Sequence, residues 1–147
     1  MDSKLKKIKV YKRKIILGDS GNVMRIMKKN DLNYKGFGEV YISTILFKKI
    51  KGWKYHTKMH MNLIVPKGKV RFIFAEKYIS INKTKYKFKE IILNSFNYKM
   101  VYVPPKIWLA FQGLSREESI IINFANINHS KHEVQNINID MIDFKWK

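Results

Sequence analysis

The sequence predicts an all-β domain built as a sandwich or a closed barrel. Runs of β-branched and aromatic residues recur at spacings of about 8–12 residues, separated by Gly, Pro or Asn. No apolar repeat of 3.6 residues persists over three turns anywhere in the chain. The 147 residues, 46% of them hydrophobic and 14% aromatic, suit one domain spanning 1–147 and can bury a substantial core. No linker and no internal repeat divides them.

Lys4 to Lys14 carries seven basic residues interleaved with Leu5, Ile8, Val10 and Tyr11. The alternation of Ile8 and Val10 with lysine predicts an edge strand whose charges deter pairing with another chain. Gly18 to Asn22 is a turn cluster, Val23 to Met27 a short strand, and Lys28 to Gly36 a polar loop. Glu39 to Phe47 is rich in β-branched and aromatic residues and predicts a strand. Trp53 to His60 predicts another, with Lys54, His56, Lys58 and His60 on one face if the strand is regular. Met61 to Val65 runs to Pro66, and Val70 to Phe74 returns after Lys67-Gly68. Lys77 to Lys89 reads as an exposed hairpin. Glu90 to Leu93, Met100 to Val103, Ile107 to Phe111 and Ser119 to Ala125 are further strands, with Pro104-Pro105 a rigid turn between two of them. Ile137 to Ile142 is expected to form a short terminal helix.

The formal charge of +19 points to an anionic partner: nucleic acid, anionic lipid or a phosphorylated small molecule. Part of it reflects composition, since 26 Lys accompany 21 Ile and 12 Asn, residues that share A/T-rich codons. Only four Arg are present, and nucleic-acid surfaces favour the arginine fork, so a basic nucleic-acid-binding barrel is the weakest reading. The absence of Cys excludes disulfides and thiolate metal sites. The start of the chain lacks the apolar stretch of a signal peptide, and no window approaches a membrane span. A cytoplasmic protein without a membrane partner is expected.

There is no glycine-rich phosphate loop, HExxH motif or zinc-finger spacing. The histidines are His56, His60, His129 and His132. His56 and His60 could share a strand face as a metal pair, but Lys58, Met59 and Met61 are poor ligands, and no metal or cofactor is expected. A histidine lining a polar barrel mouth without ligation is a second reading. Proton transfer beside a carbonyl is the third, because an imidazole titrates near neutrality. Lys51 and Lys54 flank Trp53, either as a pyrophosphate clamp with an aromatic platform or as a solvated edge around a core Trp. Trp108 is a core residue or a platform, and Arg71 a phosphate contact or a surface charge.

Three ordered segments resemble the dTDP-4-dehydrorhamnose 3,5-epimerase family. They are Gly18 to Arg25; Phe37-Gly38-Glu39-Val40-Tyr41 through Lys51-Gly52-Trp53-Lys54-Tyr55-His56 to Gly68; and Val103 to Ser115 followed by Asn123-Phe124-Ala125 and Phe144-Lys145-Trp146. The resemblance implies a cupin-type jelly-roll barrel, a homodimer, and a nucleotide-diphosphate sugar in the barrel mouth. It implies an isomerase, an epimerase or ketoisomerase of 4-keto-6-deoxyhexose nucleotides in cell-surface glycan biosynthesis; a non-catalytic sugar-nucleotide-binding cupin is the alternative. The match is to a divergent branch. The typical base falls on Lys54 in an ungapped alignment, whereas the second histidine of the related sugar 3,4-ketoisomerases falls on His56. Ser20 stands where a phosphate-binding Arg is typical, Leu109 where a His is, and Asn128 or His129 where the acidic Tyr is. By resemblance His56 is the base, Lys54 the enolate stabiliser or a second base, and His129 or Tyr41 the proton donor. Lys51 and Arg71 would hold the diphosphate, and Glu39, Trp53, Trp108 and Asn62 the rest of the substrate.

Overall fold

The computed structural model describes residues 3–146; Met1, Asp2 and Lys147, the ends of the predicted domain, lie outside the described residues. Twelve strands follow in chain order: β1 Lys9–Lys12, β2 Ile15–Ile16, β3 Val23–Met24, β4 Glu39–Ile45, β5 Ile50–His56, β6 Met61–Lys67, β7 Lys69–Ser80, β8 Lys83–Asn94, β9 Lys99–Val103, β10 Trp108–Gly113, β11 Ser119–Ala125 and β12 Val134–Asn136. They form two antiparallel five-stranded sheets, ordered β1-β9-β6-β11-β4 and β12-β5-β10-β7-β8, with β2 and β3 as a separate ribbon. The two sheets face each other across one core, the arrangement of a jelly-roll barrel.

Period-2 alternation builds that core. Along β11, Ser119, Ile121, Asn123 and Ala125 are buried and the residues between them half-exposed. Val70, Phe72 and Phe74 of β7 point inward with no exposed surface, joined by Met61, Leu63 and Val65 of β6. Each large side chain so buried contributes about 2 kcal/mol.

Both outer faces are also covered. The ribbon and the chain after it lay Ile15, Met24, Ile26 and Met27 over Ile64 and Met100. Arg13 pins this cover, its Nε donating to the Ile26 carbonyl at 2.6 Å and its Nη2 to Asn33 Oδ1 at 2.9 Å. On the other sheet, the chain after β12 packs Ile137, Ile139, Ile142, Phe144 and Trp146 over Trp53, Ile73 and Ala110. The helix expected over Ile137 to Ile142 is only a 3₁₀ turn, Ile139–Met141. Ile137 and Ile139, two residues apart, both pack on the sheet, which is the spacing of an extended chain.

The predicted amino-terminal edge strand is Lys9–Lys12, preceded by a 3₁₀ turn at Lys4–Lys7. The Lys77 to Lys89 hairpin is the outer half of the long β7–β8 pair, turning at Ile81-Asn82.

Candidate active site

Between the sheets lies a cavity of about 150 Å³, open to solvent, with walls from β4, β5, β6, β7, β10 and β11. Its polar lining is Tyr41, Ser43, Lys51, Lys54, His56 and Asn123; Met61, Leu63, Phe72, Leu109 and Phe111 supply an apolar floor. Few polar groups converging on an apolar wall is the composition of a small-molecule site.

The lining of β5 depends on a bulge. Leu109 pairs with Lys54 but Phe111 with Lys51, so two steps on β10 match three on β5. In a regular strand Lys51 and Lys54 would face opposite ways. The extra residue resets the phase, and Lys51, Lys54 and His56 all reach the cavity. Gly52 makes the bulge possible: its φ of 148° is open to glycine, and a β-carbon there would collide with Ala110. Lys51 Nζ donates to the Thr44 carbonyl at 2.6 Å, which ties β5 to β4 across the cavity edge.

His56 is 4% exposed, and its Nδ1 lies 2.5 Å from Glu133 Oε1. Glu133 Oε2 accepts the backbone N–H groups of Lys58 and Met59, each at 3.2 Å. Burial pushes the Glu133 carboxyl up, but the His56 hydrogen bond and these backbone donors outweigh it and hold the carboxyl below the usual glutamate range. A carboxylate on Nδ1 fixes that nitrogen as the donor and leaves Nε2 as the basic atom on the cavity side. Register secures the pair, because Val134 of β12 lies opposite His56 and carries Glu133 to the ring.

Tyr41 faces the same cavity from β4. Burial raises its hydroxyl above the usual tyrosine range, with smaller upward pushes from Glu39 and Glu133; the bond from Asn123 Nδ2, 2.8 Å long, works the other way. With Asn123 donating to the phenol oxygen, the Tyr41 proton remains available to a ligand. Asn123 Oδ1 is buried and meets no hydrogen-bond partner among the described residues, which makes it an acceptor for a ligand donor in this wall.

The remaining predicted site residues are elsewhere. Trp53 projects to the opposite face of β5, wholly buried, with Nε1 donating to the Ile139 carbonyl at 3.0 Å and its ring 6.0 Å from Trp146. It is a core residue because it alternates with the inward Lys54 and its face of β5 is covered by the chain after β12. Trp108 alternates with the cavity-lining Leu109 and lies outside, its ring 5.0 Å from that of Tyr55. Arg71 alternates with the inward Phe72 and pairs with Glu90 at 2.8 Å on the outer face. Asn62 faces outward between Met61 and Leu63, bonded to Asn33 as the anchor of the 28–36 loop. Glu39 shares the phase of Tyr41 at the start of β4, outside the cavity wall, and accepts the backbone N–H of His129 at 2.9 Å. His129 itself is exposed.

Nor do His56 and His60 share a face. Strand β5 ends at His56, and His60 stacks on Tyr102 with Nδ1 2.6 Å from its hydroxyl. The expected pairing of Lys58 and His60 with Lys54 fails for the same reason. Glu133 and Asn123 were not singled out by the sequence. Asn123 follows from the alternation of β11 once its phase is known, whereas Glu133 depends on a contact 77 residues away.

A family model described as FdtA: WxcM-like, C-terminal matches residues 2–142. No curated protein matches the chain. Among solved structures, a dTDP sugar isomerase from Desulfovibrio desulfuricans G20 is 24% identical, covering 95% of this chain and 90% of its own, with a TM-score of 0.84. A dTDP-4-dehydrorhamnose 3,5-epimerase from Sulfolobus tokodaii is 23% identical over 93% and 80%, TM-score 0.74. A variant of the 3,4-ketoisomerase QdtA from Thermoanaerobacterium thermosaccharolyticum, in complex with TDP-4-keto-6-deoxyglucose, is 22% identical over 87% and 86%, TM-score 0.70. These likenesses establish the cupin jelly roll, and the family match, spanning nearly the whole length, makes this chain a member of the FdtA, WxcM-like C-terminal family.

Proposed function

We propose that the protein is a nucleotide-sugar isomerase, an epimerase or ketoisomerase acting on a 4-keto-6-deoxyhexose carried by a nucleoside diphosphate. The observation that carries this is the His56–Glu133 pair at 2.5 Å, opening on a cavity with Tyr41, Lys51 and Lys54 in its wall. A 4-ketone acidifies the C–H bonds at C3 and C5. His56 Nε2 takes one such proton and Glu133 steadies the imidazolium that results. The electron pair moves to the ketone oxygen, where the Lys54 ammonium stabilises the enolate. Tyr41, held protonated, returns a proton: to the opposite face of the same carbon for epimerisation, or to C4 for keto migration, in which the C3 hydroxyl proton passes to the C4 oxygen as the C3 ketone forms. Lys51 holds the diphosphate at the cavity edge. TDP-4-keto-6-deoxyglucose, bound by the QdtA variant, is the substrate to try first.

We place the activity in cell-surface glycan biosynthesis and infer a homodimer. The edge strand β4 supports the latter, since Val40 and Ile42 on its outer face are 49% and 65% exposed beside an exposed Phe37. Among the described residues, no helix is long and apolar enough to cross a membrane.

Incubation with 4-keto sugar nucleotides in heavy water tests the reaction. Deuterium entering C3, C4 or C5, followed by NMR, is the expected result, and His56→Gln abolishes it. A keto sugar that binds and takes up deuterium at none of these positions would leave a binding protein instead of an enzyme.

A further inference from the structure

The outer half of the β7–β8 hairpin lies beyond the cavity-lining Phe72 and is strongly basic. From Lys77 to Lys89 it carries five lysines and no acidic residue. Cross-strand partners share a face. The pairs Ser80–Lys83, Tyr78–Lys85, Glu76–Lys87 and Phe74–Lys89 therefore align Lys83, Lys85, Lys87 and Lys89 in one row. Lys89 at the base approaches the Leu5 and Ile8 carbonyls and is held there. That docks the Lys4–Lys7 turn beside the hairpin and adds the exposed Lys6 and Lys7 to the same side. The nearby Glu76 is engaged by Ser3 and the Lys4 N–H. No ion pair among the described residues neutralises Lys83, Lys85 or Lys87.

The tip carries two isoleucines: Ile81 in the turn is 90% exposed, and Ile79, paired with Thr84 on the face opposite the lysine row, is 74% exposed. Ile81 and Asn82 form the two-residue turn, with φ of 48° and 60°. Such a turn favours Asn or Gly at both positions, and a β-branched residue at positive φ is sterically disfavoured. The chain thus sets an isoleucine where it weakens the turn and where it meets only solvent. An exposed Ile in a disfavoured conformation, at the apex of a cationic hairpin, suits an apolar partner ringed by negative charge.

We propose that this hairpin docks the protein on the surface of an anionic lipid bilayer. Ile79 and Ile81 enter the acyl boundary while the lysines meet the headgroups. At about 3.4 Å per residue, Lys83 and Lys85 stand within roughly 7–14 Å of Ile81, close to one screening length in physiological salt. A nucleic acid would match the lysines but offer the isoleucines nothing. No spanning segment is required, so the docking is peripheral and reversible.

Co-sedimentation of the full chain with vesicles tests this, using phosphatidylcholine alone and phosphatidylcholine mixed with phosphatidylglycerol, at low and high salt. Binding to the mixed vesicles only, weakened by salt, is expected. Lys83→Gln/Lys85→Gln/Lys87→Gln should lower partitioning by about 100-fold, at about fivefold per lysine. Ile79→Ser/Ile81→Asn should lower it by about tenfold. Single Ile81→Asn should weaken binding while keeping or raising Tm, because Asn relieves the turn. The proposal fails if mixed vesicles are not bound at low salt. It fails equally if both multiple variants bind like the parent, if duplex oligonucleotide is bound in preference to vesicles, or if Ile81→Asn lowers Tm.

Discussion

Replacing Glu133 by Gln changes one atom's chemistry and almost no volume, so its effect isolates the charge. The carboxylate is 5% exposed and accepts three hydrogen bonds: from His56 Nδ1 and from the backbone N–H groups of Lys58 and Met59. The glutamine amide keeps one acceptor and gains two donors. With its oxygen on the two backbone N–H groups, its NH₂ faces Nδ1, which accepts only if the ring proton moves to Nε2, the atom the reaction needs basic. Bonds to a charged group are worth about 1.5–3 kcal/mol each, and breaking one side of a buried pair about 3–5 kcal/mol. We expect a loss of about 3 kcal/mol, or about 10 °C in Tm for a domain of this length. The catalytic effect is separate, because the carboxylate both orients the ring and offsets the charge that develops on it. Turnover in deuterium wash-in should fall by about 10²–10³-fold with KM little changed, and Glu133→Asp should recover part of it. Turnover within threefold of the parent in a folded Glu133→Gln protein would refute the role assigned to the pair.

Three further outcomes follow from the same geometry. Tyr41→Phe removes the proton donor but leaves the cavity wall intact, so turnover should drop by about 10²-fold in the wash-in assay while nucleotide affinity, measured by calorimetry, holds. Trp53→Phe loses the bond to the Ile139 carbonyl and part of a buried ring; thermal unfolding should show a loss of about 1–3 kcal/mol, with ligand affinity unchanged because the residue lies outside the cavity. Glu133 and Glu76 both sit below the usual glutamate value of 4.5, Glu76 because the Ser3 hydroxyl and nearby backbone N–H groups overcome its burial. A carboxyl depressed on folding stabilises fully above its unfolded value and loses that stability as pH falls toward the folded one. Denaturant titrations should therefore show stability falling below about pH 4.5, with a shallower fall in Glu133→Gln.

Strand rhythm is a local property, and it was readable. Ser119 to Ala125 is so rich in β-branched and aromatic residues that the predicted and observed strands coincide. What sequence reasoning missed depends on non-local phase. A single extra residue in β5, at Gly52, decides that Lys51 joins Lys54 and His56 on the cavity face. A regular two-residue period predicts His60 on that face instead. Glu133 is invisible for a related reason: three-residue β12 has no strong pattern of its own and is placed by pairing with β5. His56 stands out in the sequence because a titratable ring in a strand is uncommon and the resemblance gives that position a precedent, and it lines the cavity. Its partner does not, because an acid in a polar loop looks like any other. Arg71, Asn62 and Trp108 fell on the outer faces because each neighbours an inward apolar residue, a parity that becomes decisive only once the core side of each strand is known.

Lys54 admits two roles, a fixed cation for the enolate or the base itself, and charge-preserving substitution separates them. It lines the cavity two residues from His56 on the same face of β5. A cation about 4–5 Å from a developing enolate, at an effective dielectric of about 20, stabilises it by about 3–4 kcal/mol, equivalent to about 10²–10³ in rate. Lys54→Met should lose that factor. Lys54→Arg keeps the charge but cannot deprotonate at any working pH. If Lys54 is the fixed cation, the Arg variant retains wash-in within about tenfold of the parent, whereas His56→Gln abolishes it. If Lys54 is the base, the Arg variant is as dead as the Met variant, and His56→Gln retains exchange. The buried carboxylate decides which to expect. Glu133 bonds to His56 and leaves its far nitrogen basic, an arrangement suited to receiving a proton. No carboxylate among the described residues pairs with Lys54. A lysine beside a second lysine in this wall gives a positive field that favours an enolate and holds the diphosphate, while the histidine does the proton transfer.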